Sequence, residues 1–500
     1  MKYALVCLSF LFVFVFEISC NSDISEGKAL AKTHCSSCHM FPEPNMLPKN
    51  VWQYSTLPYM GIMMGIDKEI ENLPKELMYY AILKPETNLI SAKDYEKIKE
   101  YYLSEAPKTL EFPVYSALPE LKGRFDIEKL NVRSPNGKIP NYTAVKIDEK
   151  NQRIVAGDQS NRLIWILDRN GKPTQTIKDQ NALAYVDIET EKPYLFTYIG
   201  FTTQANPDVN GSAEWLNVTE TANNERVKIL PDLNRPIEVL SRNLDETSDE
   251  ELISNEFGFK FGGLSVWKKD ASGKYQKKVI STQTGATKTI IQDFNGDKKP
   301  DILSLCAQGD EKIILYLNKG SLKFEEKLLL RFPSIYGSSS FDIADIDKDG
   351  KFDIIYTAGD NADFTTVLKP YHGVYVFRNK GNFKFEQSQF FMQNGATKVV
   401  PGDFDNDGDI DMVSIALFPD VDKRPLEGFM YFENNSSKFI QKTLPINHLG
   451  RWSVIDAGDI DQDGDIDLVL GSHPVAKFPA GFDQAWKQGS GMVILRNKTH

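Results

Sequence analysis

Cys35-Ser36-Ser37-Cys38-His39 is the stretch of this 500-residue chain whose residue types and spacing most narrowly specify a chemistry. Two cysteines separated by two residues can each form a thioether to a haem vinyl group, and a histidine directly after the second is placed to ligate the iron. Cys35, Cys38 and His39 are therefore expected to hold one covalent c-type haem. A zinc knuckle would need a second Cys or His pair, yet the one later cysteine is Cys306 and no closely spaced histidine pair follows. A thioredoxin-like redox pair would follow a strand, whereas residues 25–34 read as a short helix. No histidine lies between His39 and His372, so the expected sixth iron ligand is a methionine sulfur, which suits electron transfer. Met40, Met46, Met60, Met63, Met64 and Met78 are available, and the first two lie too close to His39 to reach the opposite haem face. Met60 is favoured because an extended Leu57-Pro58 approach would present it to the metal. The alternative is that Met60, Met63 and Met64 form an apolar helical stripe packed on haem or core.

A second pattern of donors recurs downstream. Nine-residue stretches run from Asp293 to Asp301, Asp345 to Asp353, Asp403 to Asp411 and Asp459 to Asp467. Oxygen donors stand at positions one, three, five and nine: Asp293, Asn295, Asp297 and Asp301; Asp345, Asp347, Asp349 and Asp353; Asp403, Asp405, Asp407 and Asp411; Asp459, Asp461, Asp463 and Asp467. Position seven (Lys299, Lys351, Asp409 or Asp465) offers its backbone carbonyl, and a glycine at position four or six allows a tight turn. Alternating carboxylates converging on one point suit a hard cation, so about four Ca2+ ions are expected. An EF-hand would require an acidic twelfth position, which is instead Ser304, Tyr356, Ser414 or Leu470. Each loop runs into a β-like segment, so the loops link strands.

These donors require two kinds of scaffold, and the length agrees, because 500 residues exceed one compact core. Ser25 is placed to cap a helix through Ala29 and Ala31 into the cysteine motif. Ser91 and Asp94 open a second helix with Tyr95, Ile98 and Tyr102 on one face, and Pro107 stops it. A small all-α domain of residues 22–108 follows. The acidic loops repeat every fifty to sixty residues, the length of one four-stranded propeller blade. A decayed copy at Asn243 to Glu251 and weaker signals near Asp148 and Asp187 bring the count to seven blades. Residues 109–122 read as a linker and 123–500 as the propeller. The chain ends on a third-strand pattern, and the segment from Arg124 to Leu130 has outer-strand character. Pairing the two would close the ring and remove its edges.

The amino terminus reads as a secretory signal over residues 1–20, with an apolar run from Tyr3 to Phe16. Its Ile18-Ser19-Cys20 ending resembles the lipobox of bacterial lipoproteins, although Glu17 departs from that pattern; lipidation of Cys20 is expected, with an uncleaved anchor as the alternative. Export agrees with haem attachment, which takes place outside the inner membrane. The formal charge of −11 and the lack of a Lys/Arg-rich run exclude nucleic acid as a partner.

Residues 243–467 resemble the FG-GAP or VCBS repeats of calcium-binding propellers, the architecture of integrin α-subunit heads. The segments 336–363 and 450–472, with the cysteine motif and Leu47 to Trp52, are similar to bacterial envelope proteins that join a c-type haem to such a propeller. The resemblance implies structural calcium sites on one propeller face. Long connections at 359–373, 418–428 and 472–491 would emerge on the opposite face, where Lys369, Tyr371, His372, Asp420, Arg451, Trp452 and His473 are candidates for a glycan or small-molecule ligand. The expected function is that of an exported c-type cytochrome in the periplasm, at the outer membrane or on the cell surface, passing electrons to a redox partner protein. Two alternatives differ in class: a sugar or alcohol oxidoreductase feeding its own haem, and an adhesion or glycan-binding protein. No catalytic residues are assigned.

Overall fold

A computed structural model describes residues 24–130, 132, 137–188, 193–204, 206–218, 225–245, 247, 249–360, 367–474, 486, 489 and 491–499. The signal segment with Cys20 lies outside the described residues, as do parts of the connections at 359–373 and 472–491. Among the described residues no helix is long and apolar enough to cross a membrane. Chain contacts divide the protein into two units, one of residues 1–114 with 333–335 and 361–370, the other of the remainder.

The first unit carries helices between residues 24 and 105. Its final helix, Ala92–Glu105, starts at a reciprocal cap: the Asp94 amide donates to Ser91 Oγ at 3.0 Å, and that hydroxyl donates back to Asp94 Oδ2 at 2.7 Å. Tyr95, Ile98, Tyr101 and Tyr102 are its buried face. The helix at 24–35 crosses this one at Gly27, where a Cβ would fall 2.2 Å from the Lys97 carbonyl oxygen. Only a residue without a side chain permits so close an approach.

Between them, residues 49–63 form one helix with a widened turn at Trp52–Thr56, where the Leu57 amide reaches back to the Trp52 carbonyl. Pro58 has no amide to give the preceding turn, and the wider turn absorbs that loss. The expected extended approach at Leu57-Pro58 is therefore corrected: Leu57 is helical, with φ −65° and ψ −44°, and Met60 sits on a helix.

The second unit is a seven-bladed propeller of seven four-stranded antiparallel sheets. Each blade is a meander, such as Ala286–Gln292, Asp301–Cys306, Lys312–Asn318 and Phe324–Arg331. Second strands are buried along their whole length, while outer strands alternate with exposed residues. The reason is position, since a central strand has a neighbouring blade on each face. Apolar clusters lie between adjacent blades, among them Leu303, Leu315, Phe341 and Tyr356 between the fourth and fifth, and Phe404, Tyr431, Trp452 and Leu470 between the sixth and seventh.

The ring closes as the terminal patterns predicted. Phe125–Lys129 pairs with Met492–Asn497, from Phe125 opposite Asn497 to Lys129 opposite Val493. The stretch read as a linker is partly propeller: Leu121 is buried in the core between the last two blades and Leu118 packs on the core before it.

Every innermost strand carries a bulge, and its extra residue is often a hydroxyl that reaches the next blade. Thr143 donates to the Leu183 carbonyl at 2.6 Å, Ser339 to Ala396 at 2.8 Å and Ser453 to Tyr142 at 3.1 Å.

Candidate functional site

The cysteine motif lies at the end of the 24–35 helix. Cys35 and Cys38 are free thiols, the first buried and the second exposed. Cys35 packs in the unit's core with Ala31, Trp52, Tyr95 and Tyr102. Burial pushes its thiol up to about 11, which keeps the sulfur uncharged. A thioether is neutral and tolerates such burial.

His39 Nδ1 lies 2.9 Å from the Met40 carbonyl oxygen. A carbonyl only accepts, so Nδ1 carries the proton in this contact, the arrangement that would leave Nε2 to ligate a metal. The segment after the motif is pinned by donors from both neighbouring helices: Tyr102 Oη to the Pro42 carbonyl and Trp52 Nε1 to the Pro44 carbonyl, each at 2.8 Å. Tyr95 Oη donates to the Leu57 carbonyl at 2.5 Å, fixing the helix that carries Met60. Met60 and Met46 pack half-buried on the core that holds Cys35, and Met64 is buried within it, whereas Met40, Met63 and Met78 are exposed.

The acidic loops join first to second strands, so they share one face of the propeller. In all four, positions four and six have positive φ: Gly296 and Lys298, Lys348 and Gly350, Asn406 and Gly408, Gln462 and Gly464. The apolar second residues Ile346, Phe404 and Ile460 are buried between blades and anchor each loop. Carboxylates one, three and five converge in three loops: Asp345, Asp347 and Asp349; Asp403, Asp405 and Asp407; Asp459, Asp461 and Asp463 each bring ligand atoms within 4.8 Å of one another. Asp403 Oδ1, Asp405 Oδ1 and Asp461 Oδ1 are buried without a hydrogen-bond partner. Burial, then the adjacent Asp407, pushes the Asp405 carboxyl upward. Crowded acids with orphaned oxygens fit a divalent cation.

The loop at 293–301 differs. Its third position is Asn295 in place of a carboxylate, and Asp293 accepts four backbone amides, those of Asn295, Gly296 and Asp297 on Oδ1 and that of Lys298 on Oδ2, where Asp345 and Asp459 each accept two.

The ninth position has a task that its sequence pattern did not disclose. Asp301, Asp353, Asp411 and Asp467 are buried, and each accepts the amide of an asparagine in the last two residues of the third strand of its own blade, Asn318, Asn379, Asn434 or Asn497, at 2.7 or 2.8 Å. Their second oxygens take the Phe294 amide, Arg378, the Tyr431 hydroxyl and Arg496. These carboxylates staple the blade below the loop. The signal was present as the Asn near the end of each third strand.

The candidates for the opposite face are largely interior. Lys369, His372, Asp420, Arg451 and Trp452 are buried, and Trp452 belongs to the core between the last two blades. Arg451 Nε donates to the Leu417 carbonyl at 2.6 Å and lies over the Phe418 ring, so it organises loops. Tyr371 stacks on Tyr336 at 4.9 Å, and His473 is half-buried. Sequence reasoning missed an open groove of about 410 Å3 between the first two blades, lined in part by Gln180, Asn181 and Lys228. Its buried Asp179 and Glu214 are held by Arg226 at 2.8 and 3.5 Å, and Lys228 lies 3.4 Å from Glu214, so two cations balance the two carboxylates.

Residues 293–356 and 361–414 match the FG-GAP-like repeat family. No curated protein matches the chain. Among solved structures, the N-terminal domain of Nup159 is 11% identical and covers 76% of this chain and 99% of its own, with a TM-score of 0.43. A luciferin-regenerating enzyme is 11% identical, covers 74% and 94%, and has a TM-score of 0.37. The propeller assignment rests on the chain's own strand order. The molecule carries FG-GAP-like repeats on a closed ring of seven blades.

Proposed function

We propose that this chain is an exported, lipid-anchored c-type cytochrome that passes single electrons to a protein partner of the bacterial envelope, with its calcium-braced propeller as the docking platform. The observation that carries the reading is the Cys35-Ser36-Ser37-Cys38-His39 spacing at a helix end, with Cys35 packed in the unit's core and His39 Nδ1 oriented by a backbone carbonyl.

Cys35 and Cys38 would hold the group through thioethers, His39 Nε2 would ligate its iron, and Met60 is the favoured sulfur ligand on the other side. A haem held in this way supplies one-electron chemistry without making or breaking a substrate bond. The chain's own residues do the rest. Trp52 and Tyr102, with ring centroids 4.4 Å apart, keep water from the motif's buried side. Tyr95 fixes the helix bearing Met60 through the Leu57 carbonyl. Calcium is assigned to the three convergent loops, with a weaker site at 293–301. A polar ligand such as a glycan would find its place in the groove between the first two blades.

The test is the mass and visible spectrum of the full chain made in cells competent for cytochrome maturation. The expected product weighs one haem more than the polypeptide with any lipid, and its reduced spectrum has sharp α and β bands. A product without the added mass overturns the reading.

A further inference from the structure

The innermost strands of six blades bring charged side chains to the propeller's central channel, and not all of them pair: Lys146 from the first blade, Glu238 from the third, Lys288 from the fourth, Asp342 from the fifth, Lys398 from the sixth and Asp456 from the seventh. Lys288 Nζ pairs with Asp342 at 2.7 Å, and Lys146 Nζ with Asp456 at 3.4 Å. The Asp456 carboxylate also accepts the Ile147 amide at 2.8 Å, which ties the last blade to the first. Both carboxylates are thus engaged. The third ammonium, Lys398, donates to the Ile455 carbonyl at 2.7 Å and has no carboxylate within ion-pair distance among the described residues. Glu238 accepts the Thr289 amide and Asn255 Nδ2 on its Oε2, each at 2.8 Å.

An ammonium has three donors, and a backbone carbonyl answers one of them without cancelling its charge. Removing an uncompensated charge from water is costly, and a protein meets that cost by giving up the proton or by supplying a counter-ion. Burial, with Lys288 and Lys146 adding repulsion and Asp456 opposing it, lowers the Lys398 amine to about 8. At neutral pH it is still mostly charged. The side chain is only half-buried, so the channel gives it access to small solutes.

We propose that the channel binds a small oxyanion, of carboxylate or sulfate size, as the counter-ion of Lys398. Lys288 and Lys146 supply the surrounding positive field, while Asp342 and Asp456 exclude a large polyanion. This site is independent of the cysteine motif and of the calcium loops.

Sulfate is the probe, compared with chloride at matched ionic strength on the full-length, calcium-loaded protein. Trace acetylation followed by peptide mass spectrometry reads each lysine separately. Sulfate at ten times its dissociation constant should slow labelling of Lys398 about tenfold by mass action, while exposed Lys278 is unaffected. Lys398→Met should abolish the rise in melting temperature that millimolar sulfate gives the wild type. Lys398 labelling that ignores both sulfate and acetate overturns the proposal and identifies a bare neutral amine. A sulfate-dependent rise that persists in Lys398→Met also overturns it by placing the anion elsewhere. Should that variant fail to fold, the wild-type labelling arm decides alone.

Discussion

Asp403→Asn separates calcium binding from the hydrogen bonding that shapes the same loop. The substitution keeps size and an acceptor oxygen, so the 2.9 Å bond from the Gly408 amide can persist. It removes the charge at a buried Oδ1 that has no hydrogen-bond partner. With calcium at one hundred times its dissociation constant, one site contributes about 2.7 kcal/mol. Weakening that site about 100-fold, at the upper end of what altered ligation produces, leaves ~0.4 kcal/mol and so destabilises by roughly 2.3 kcal/mol. At roughly 2 °C per kcal/mol for a large domain, the melting temperature in calcium should fall by about 5 °C. In EGTA the sign changes, because Asp403 then only repels Asp405 and Asp407 and the variant should match or exceed the wild type. Differential scanning calorimetry in both conditions is the assay, with Asp293→Asn as a comparison that should lose less, because its loop carries Asn295 in place of a third-position carboxylate. An equal loss in calcium and in EGTA would refute the reasoning, as would a wild-type melt indifferent to EGTA.

Other outcomes follow from the same geometry. Met60→Ala should abolish the sulfur-to-iron charge-transfer band of the oxidised protein while the covalent haem remains; a retained band assigns the ligand elsewhere. Gly27→Val places a side chain where the Lys97 carbonyl is 2.2 Å from an added Cβ, an overpacking worth about 1–3 kcal/mol. The yield of haem-bearing protein should fall while the propeller melt is unchanged. Glu311 is raised to about 8, chiefly by burial, with Ser338 hydrogen bonds opposing the shift. The folded state therefore holds a proton that the unfolded chain releases from about pH 4.5, so stability should decline between about pH 4.5 and pH 8. Glu311→Gln should flatten that decline in denaturant titrations at pH 5, 7 and 9, and an unchanged slope would assign it to other groups.

The acidic loops were legible because their function is local. Nine consecutive residues contain both the donors and the turn, so spacing alone announces the cluster. Blade count and closure were legible because each blade repeats the same strand character, including the outer-strand pattern of residues 124–130. Partnerships over longer spans stayed hidden. Asp411 reads as a fourth donor of its loop, yet its oxygens serve Asn434 and Tyr431, more than a turn's reach away. Leu57-Pro58 reads as extended because proline ends most helices, and only the widened turn before it shows how this one continues. Lys288 and Lys398 each end a Gly-Ala-Thr-Lys stretch five residues before an acidic loop, but Lys146 lacks that mark, and only the ring brings all three to one axis.

The pairing of Phe125–Lys129 with Met492–Asn497 also governs how the molecule can be made. A ribosome releases the first of these strands long before the second exists, so the growing polypeptide must keep an unsatisfied edge out of trouble until the second emerges. Loss of either strand would leave bare edges facing solvent, an invitation to join another copy. Arrival of the later strand is thus the event that seals the ring.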